Sequence, residues 1–164
     1  MTPDQFWAII DRVHAANPRS MDAKCAGLEK ELLKLDAAAL KGFLERFDEA
    51  EDRAYDWKLW GAAYLINGGC SDDSFSDFRA TLISMGRKTF ESALADPDGL
   101  AGFEFGDDGS TYEGYQYVPH QVAENKLGGI PERHKPHPAD PSGEDWDEDD
   151  LPRLLPKLAE KYDG

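Results

Sequence analysis

Ser71, Asp72 and Asp73 stand side by side, with Asp77 one helical turn on and Arg79 two residues further. Two adjacent carboxylates with a third in reach supply hard oxygen ligands of the kind that hold Mg²⁺. They also suit acid–base chemistry, because like charges held close push their pKa values apart. Arg79 adds a planar fork for a carboxylate or a carbonyl. The competing reading is architectural: Ser and Asp at a helix entrance accept from exposed backbone N–H groups, and their charge suits the helix dipole. Capping accounts for one aspartate but not for both. Cys70 lies beside them, and although a helix entrance favours a thiolate, the neighbouring carboxylates oppose it. These five residues, Ser71 to Arg79, are the candidate functional turn, and the architectural reading is the favoured one.

A second constellation is aromatic. Phe103, Phe105, Tyr112, Tyr115 and Tyr117 lie in an acidic stretch. Aromatic rings amid charge mark recognition surfaces, since they bury area at little entropic cost; equally, they could close one end of a bundle. Of the histidines, His134 and His137 in "RHKPHP" have an H-x-x-H spacing but no helix to align the rings and no cysteine pair, so a solvated loop is expected rather than zinc. "DDGSTYE" lacks the length and the sixth-position glycine of a calcium loop. Gly-x-Ser-x-Gly, phosphate-cradling glycine loops and H-E-x-x-H are absent. No metal and no cofactor are expected.

The chain carries 33 acidic against 18 basic side chains, a formal charge of -15. That argues against a phosphate-backbone binder and against an anionic membrane surface, and it leaves a basic protein partner open. No stretch approaches the roughly 20 apolar residues of a membrane span. "MTPDQFWAIIDRVHAA" has no basic leader or cleavage site, and two cysteines are too few for a disulfide framework. A cytoplasmic location is expected.

The elements that must position these residues are mainly helical. Thr2-Pro3-Asp4-Gln5 is a helix start with a capping box, followed by Phe6, Ile9, Ile10 and Val13 at helical spacing. Asn17-Pro18 ends that helix, Ser20 caps a second with Met21, Cys25, Leu28, Leu32 and Leu35 on its stripe, and Asp36 opens a third carrying Leu40, Phe43, Leu44 and Phe47. Tyr55 to Ile66 is apolar nearly all round, the mark of a central helix. Gly68-Gly69 stop it, and a fifth helix follows with Phe75, Phe78, Leu82 and Met85 inside. The reading is a compact multi-helix bundle in a single domain over 1–164, with its helical core at 1–95. Residues 96–130 read as irregular, with a short hairpin turning at Asp108-Gly109 and a short helix from Pro119 to Leu127. A Pro-rich acidic linker occupies 131–147, and a C-terminal helix over 148–162 is interrupted by Pro156. Residues 101–164 hold 15 of the acidic and only 6 of the basic side chains, so the C-terminal wrap is the more acidic part.

"FWAIID", "LWGAAYLINGGCSDDSFSDFRATLISMGRKTFESAL" and "DPDGLA" together resemble a bacterial family catalogued as domain of unknown function 4240. In that family a tryptophan is expected where this chain has Thr81. The resemblance implies a fold of this helical kind. The family has no established activity, so it offers no catalytic residues to carry across. The resulting expectation is an acidic, cytoplasmic protein-interaction or regulatory module without catalysis, engaging a protein partner, and a basic one if charge decides, through residues 103–117 and the acidic run 144–150. The rival is a ligand-binding protein or metal-assisted enzyme at the Ser71-Asp72-Asp73 turn. A third reading is acidic mimicry of nucleic acid to block a basic protein.

Overall fold

A computed structural model describes residues 1–162. It is mainly helical. Thr2 accepts from the Gln5 backbone N–H while the Gln5 side chain accepts from the Thr2 N–H, the reciprocal box that starts α1 (Pro3–Ala16). Ser20 and Asp36 cap α2 (Met21–Leu33) and α3 (Ala37–Arg53) without the reciprocal bond, each side chain satisfying a backbone donor that the first turn leaves unpaired. Asp56 caps α4 (Trp57–Asn67), which ends at Gly68 with φ 67°, a left-handed position that costs glycine nothing. Next come α5 (Asp72–Ser84), α6 (Arg87–Ala95) and a 3-10 turn at Pro97–Gly102. Another 3-10 turn, Tyr115–Tyr117, leads into α7 (Val118–Leu127). After a 3-10 turn at Glu148–Asp150, Pro156 splits the C-terminal helical stretch into α8 (Leu151–Leu154) and α9 (Pro156–Tyr162).

The centre of the bundle is α5, not α4. Nine consecutive residues, Phe78 to Gly86, are buried, and α1, α3, α4 and α6 all pack on α5. α4 buries Leu59, Ala62, Ala63 and Leu65 but leaves Trp57, Trp60 and Tyr64 partly exposed, with Trp146 of the C-terminal wrap against Trp57 and Tyr64. The composition misleads because α4 spends its large aromatics on its outer side, while α5 carries small polar residues that can be satisfied inside. Thr81 Oγ1 accepts from the Tyr112 backbone N–H, and Ser84 Oγ donates to the Thr81 carbonyl. On α2 the stripe is Met21, Leu28 and Leu32, with Cys25 only half-buried. Lys24 takes an inner place instead, its ammonium donating to the Ser84 carbonyl at 3.1 Å; burial pushes its pKa down to about 8.

The expected hairpin does not form: among the described residues there is no strand. Residues 103–117 instead spend their polar groups on other elements. The Asp107 N–H donates to the Arg19 carbonyl, and the Asp108 carboxylate accepts from the Met21 N–H at the start of α2. Ser110 donates to Asn67. Gly106 lies so close to the link between α1 and α2 that a Cβ there would come within 2.6 Å of the Arg19 oxygen. A strand needs those backbone donors for its neighbour, and here they are already committed.

Candidate functional site

The helix entrance at Ser71 is built as a cap. Ser71 Oγ accepts from the Ser74 N–H at 3.2 Å and receives no help from the aspartates that follow it. Asp72 and Asp73 are exposed, and among the described residues neither makes a hydrogen bond or an ion pair. Their carboxylates occupy the first turn, where they interact with the dipole. Cys70 is half-buried; burial first, then Asp72 and Asp77, push its thiol up to about 11, far from a nucleophile's range.

The other two residues of that turn face inward. Asp77 accepts from the Gln116 amide at 2.7 Å, while Ser76 donates to the same side chain, so Gln116 is clamped against α5. Arg79 is 3% exposed, its guanidinium lying over the rings of Tyr55 and Phe75 at 4.7 and 4.9 Å. It donates to the Glu51 backbone carbonyl at 3.0 Å and to that of Phe75. Burial lowers its pKa, and the nearby Glu51 carboxylate works in the opposite direction. Thus the fork holds carbonyls, as the sequence allowed, and stands behind α3.

The aromatics do not share one surface. Tyr115 is fully buried against Phe47, with its hydroxyl unpartnered among the described residues. Phe105 packs on Phe78 and Phe103 on Phe105. The Tyr112 hydroxyl donates to Asp22. Only Tyr117 of the five is exposed, at 44%.

What these residues support is a cleft of about 330 Å³ between α3, α7 and residues 130–133. Leu44 and Phe47 form its apolar wall; Glu45, Asp48 and Glu51 come from successive turns of α3, with Gln116 and His120 opposite. Spacings of three put those carboxylates on one side of the helix. At its rim Arg133 donates to Asp52 at 2.6 Å and lies 3.6 Å from Asp48. Burial raises the Asp48 pKa against the pull of Arg133 and His120. Burial pushes Glu51 up to about 7, since Arg79 offsets only part of the cost. Burial works against the Arg133 charge, and the bond to Asp52 with the charges of Asp48 and Glu51 outweighs it, raising its pKa. Among the described residues no three His, Cys, Asp or Glu side chains are placed to hold a metal ion.

Asp48, Glu51 and Asp52 are residues that sequence reasoning passed over. "ERFDEAEDR" contains the signal, acids at three- and four-residue intervals beside an apolar stripe. Arg133 is 81 residues from its partner Asp52, and nothing local marks the pairing.

A family model covers residues 1–125, well over half of the sequence. The chain belongs to DUF4240, a family described as proteins of unknown function. No curated protein and no solved structure matches it. In this DUF4240 chain the matched residues include α3, α5 and the part of α7 that carries His120, whereas Ile130 to Arg133 lie beyond the match. No helix among the described residues is long and apolar enough to cross a membrane.

Proposed function

We propose that this chain is a cytoplasmic protein-interaction or regulatory module, without catalysis of its own, that receives a basic segment of a partner on the acidic side of α3. The observation that carries the reading is Arg133 seated against Asp48 and Asp52, a cation already accommodated at the rim of an acid-lined cleft. On the α3 side of that cleft Glu45, Asp48 and Glu51 outnumber Lys41, and the overall charge of -15 steers a basic partner toward it. Tyr117, next to the clamped Gln116, offers an exposed ring at the same end. The exposed acids of 144–150 extend the field beyond Asp56, to which Ser142 is bonded. The alternative site at Ser71-Asp72-Asp73 has less support, because its two carboxylates stand in solvent.

Fluorescence anisotropy with a labelled hexa-arginine peptide tests this. Binding is expected at about 50 mM salt, weakened roughly tenfold at about 200 mM, and lost in the Asp48→Asn/Asp52→Asn double variant. Equal binding by the double variant, or none by the wild type, overturns the proposal.

A further inference from the structure

Resting on that reading, we infer that residues 129–141 are an internal stand-in for the partner, and that the partner presents an extended, proline-flanked basic segment that displaces them. The stand-in has the required chemistry. "GIPERHKPHPADP" sets Arg133, His134 and Lys135 between Pro131 and Pro136, with Pro138 and Pro141 beyond. Prolines hold such a segment extended and lower the entropy lost on docking.

Its seat is defined by side chains. Arg133 bonds Asp52 and pairs with Asp48, and the guanidinium is oriented by a further bond from its Nε to the Lys135 carbonyl. Four residues on, the His137 ring meets the face of Tyr55 edge-on at 4.7 Å, with Nε2 3.9 Å from Asp52. Tyr55 is the ring that also covers Arg79, so the surface receiving the segment is braced from behind.

Three observations mark this occupant as displaceable. Between Gly129 and Pro141 no backbone–backbone hydrogen bond ties the segment to the body among the described residues; the ties lie outside it, at Gly128 and at Ser142. Nearly all its residues are exposed. The segment also leaves acceptors without a hydrogen bond among the described residues: Asp52 Oδ1 is buried and the His137 ring stops 3.9 Å short of it, and the Glu51 carboxyl in the adjoining cleft receives none. A partner whose arginine fork engages both Asp52 oxygens, or which sends a second donor to Glu51, would make bonds that the internal segment does not make. The wall is in the family-matched part of the chain and the occupant lies past it.

The test uses the full chain and a labelled peptide with the sequence of residues 129–141. Arg133→Ser in the protein unseats the internal segment, so this variant should bind the peptide at least about tenfold more tightly than wild type, whose site is blocked for most of the time. Asp48→Asn/Asp52→Asn added to Arg133→Ser should abolish binding, as should Arg→Ser in the peptide. Equal affinity of wild type and Arg133→Ser overturns the displacement, while the acidic-face reading stands. No binding of this peptide by either protein, with hexa-arginine still bound, also overturns it; loss of both peptides removes the two readings together. A wild type that sediments as a dimer and becomes a monomer with Arg133→Ser would assign the seat to the segment of a second copy, and that outcome too overturns the inference.

Discussion

Asp72 and Asp73 at the entrance of α5 and Asp48, Glu51 and Asp52 on α3 are the same chemical groups in different surroundings. The first pair is adjacent in sequence, lies at a helix start and faces water, where a carboxylate is well solvated and interacts with its neighbours through a high dielectric. The α3 group is spread over two turns and partly withdrawn from water, and cations from α5 and from residue 133 approach it. Burial is what turns spacing into interaction energy. A cluster that catches the eye in the sequence is therefore the weaker one in the fold, and the support for the stronger one, Arg79, comes from the conspicuous stretch itself.

Breaking that support should have the largest effect. Arg79→Ala removes a guanidinium packed over two rings and leaves the Glu51 carbonyl without its donor, with a cavity beside Tyr55 and Phe75. A loss of about 3 kcal/mol in denaturant unfolding is expected. A loss below about 1 kcal/mol would show that α3 does not depend on α5 in this way.

Glu51 sharpens the comparison through pH. Its carboxyl titrates near 7 when folded, against an ordinary value of 4.5. Between these values the folded chain keeps a proton that the unfolded chain has released. Its contribution to stability is thus complete below about pH 4.5 and lost as the pH rises through about 7. Glu51→Gln, which cannot ionise, should be more stable than wild type by about 2 kcal/mol at pH 8, with the gap closing towards pH 4. Parallel stability curves for the two proteins would place Glu51 among solvated carboxylates.

At the α5 entrance the effects should be smaller and ordered. Ser71→Ala loses the bond to the Ser74 N–H and should cost about 1 kcal/mol. Asp72→Asn and Asp73→Asn should each cost only about 0.3–0.5 kcal/mol, the share of a first-turn charge, and that cost should shrink with added salt. Thermal unfolding of the three variants at two salt concentrations checks the order; an aspartate variant that loses more than Ser71→Ala would return the site to this turn.

Much of the helical frame was legible, because its signals are local. Thr2 with Gln5, Ser20 and Asp36 mark helix starts through hydrogen bonds only a few residues long, and Gly68 marks an end through its own backbone. The hairpin misled for a related reason. A turn does form, but one residue earlier than expected, over Gly106–Gly109 with Asp107 and Asp108 at its centre and the Gly109 N–H donating to the Gly106 carbonyl; the flanking aromatics pack into the bundle and the loop's polar groups are taken by α2 and α4. The apolar composition of α4 could not disclose that Trp57 and Tyr64 lie against the C-terminal wrap, where Trp146 donates its indole N–H to the Trp57 carbonyl.

By itself, then, the sequence determined the helical class, the helix starts and stops, the acidic character and the kinship with a family matched over residues 1–125. Only the tertiary structure decided which helix is central, which carboxylates are drawn out of water, and that Arg133 reaches Asp52 across 81 residues. The division follows the range of the forces. Caps and periodicity act within a turn or two of the chain, whereas desolvation and charge pairing depend on what folding brings from far away.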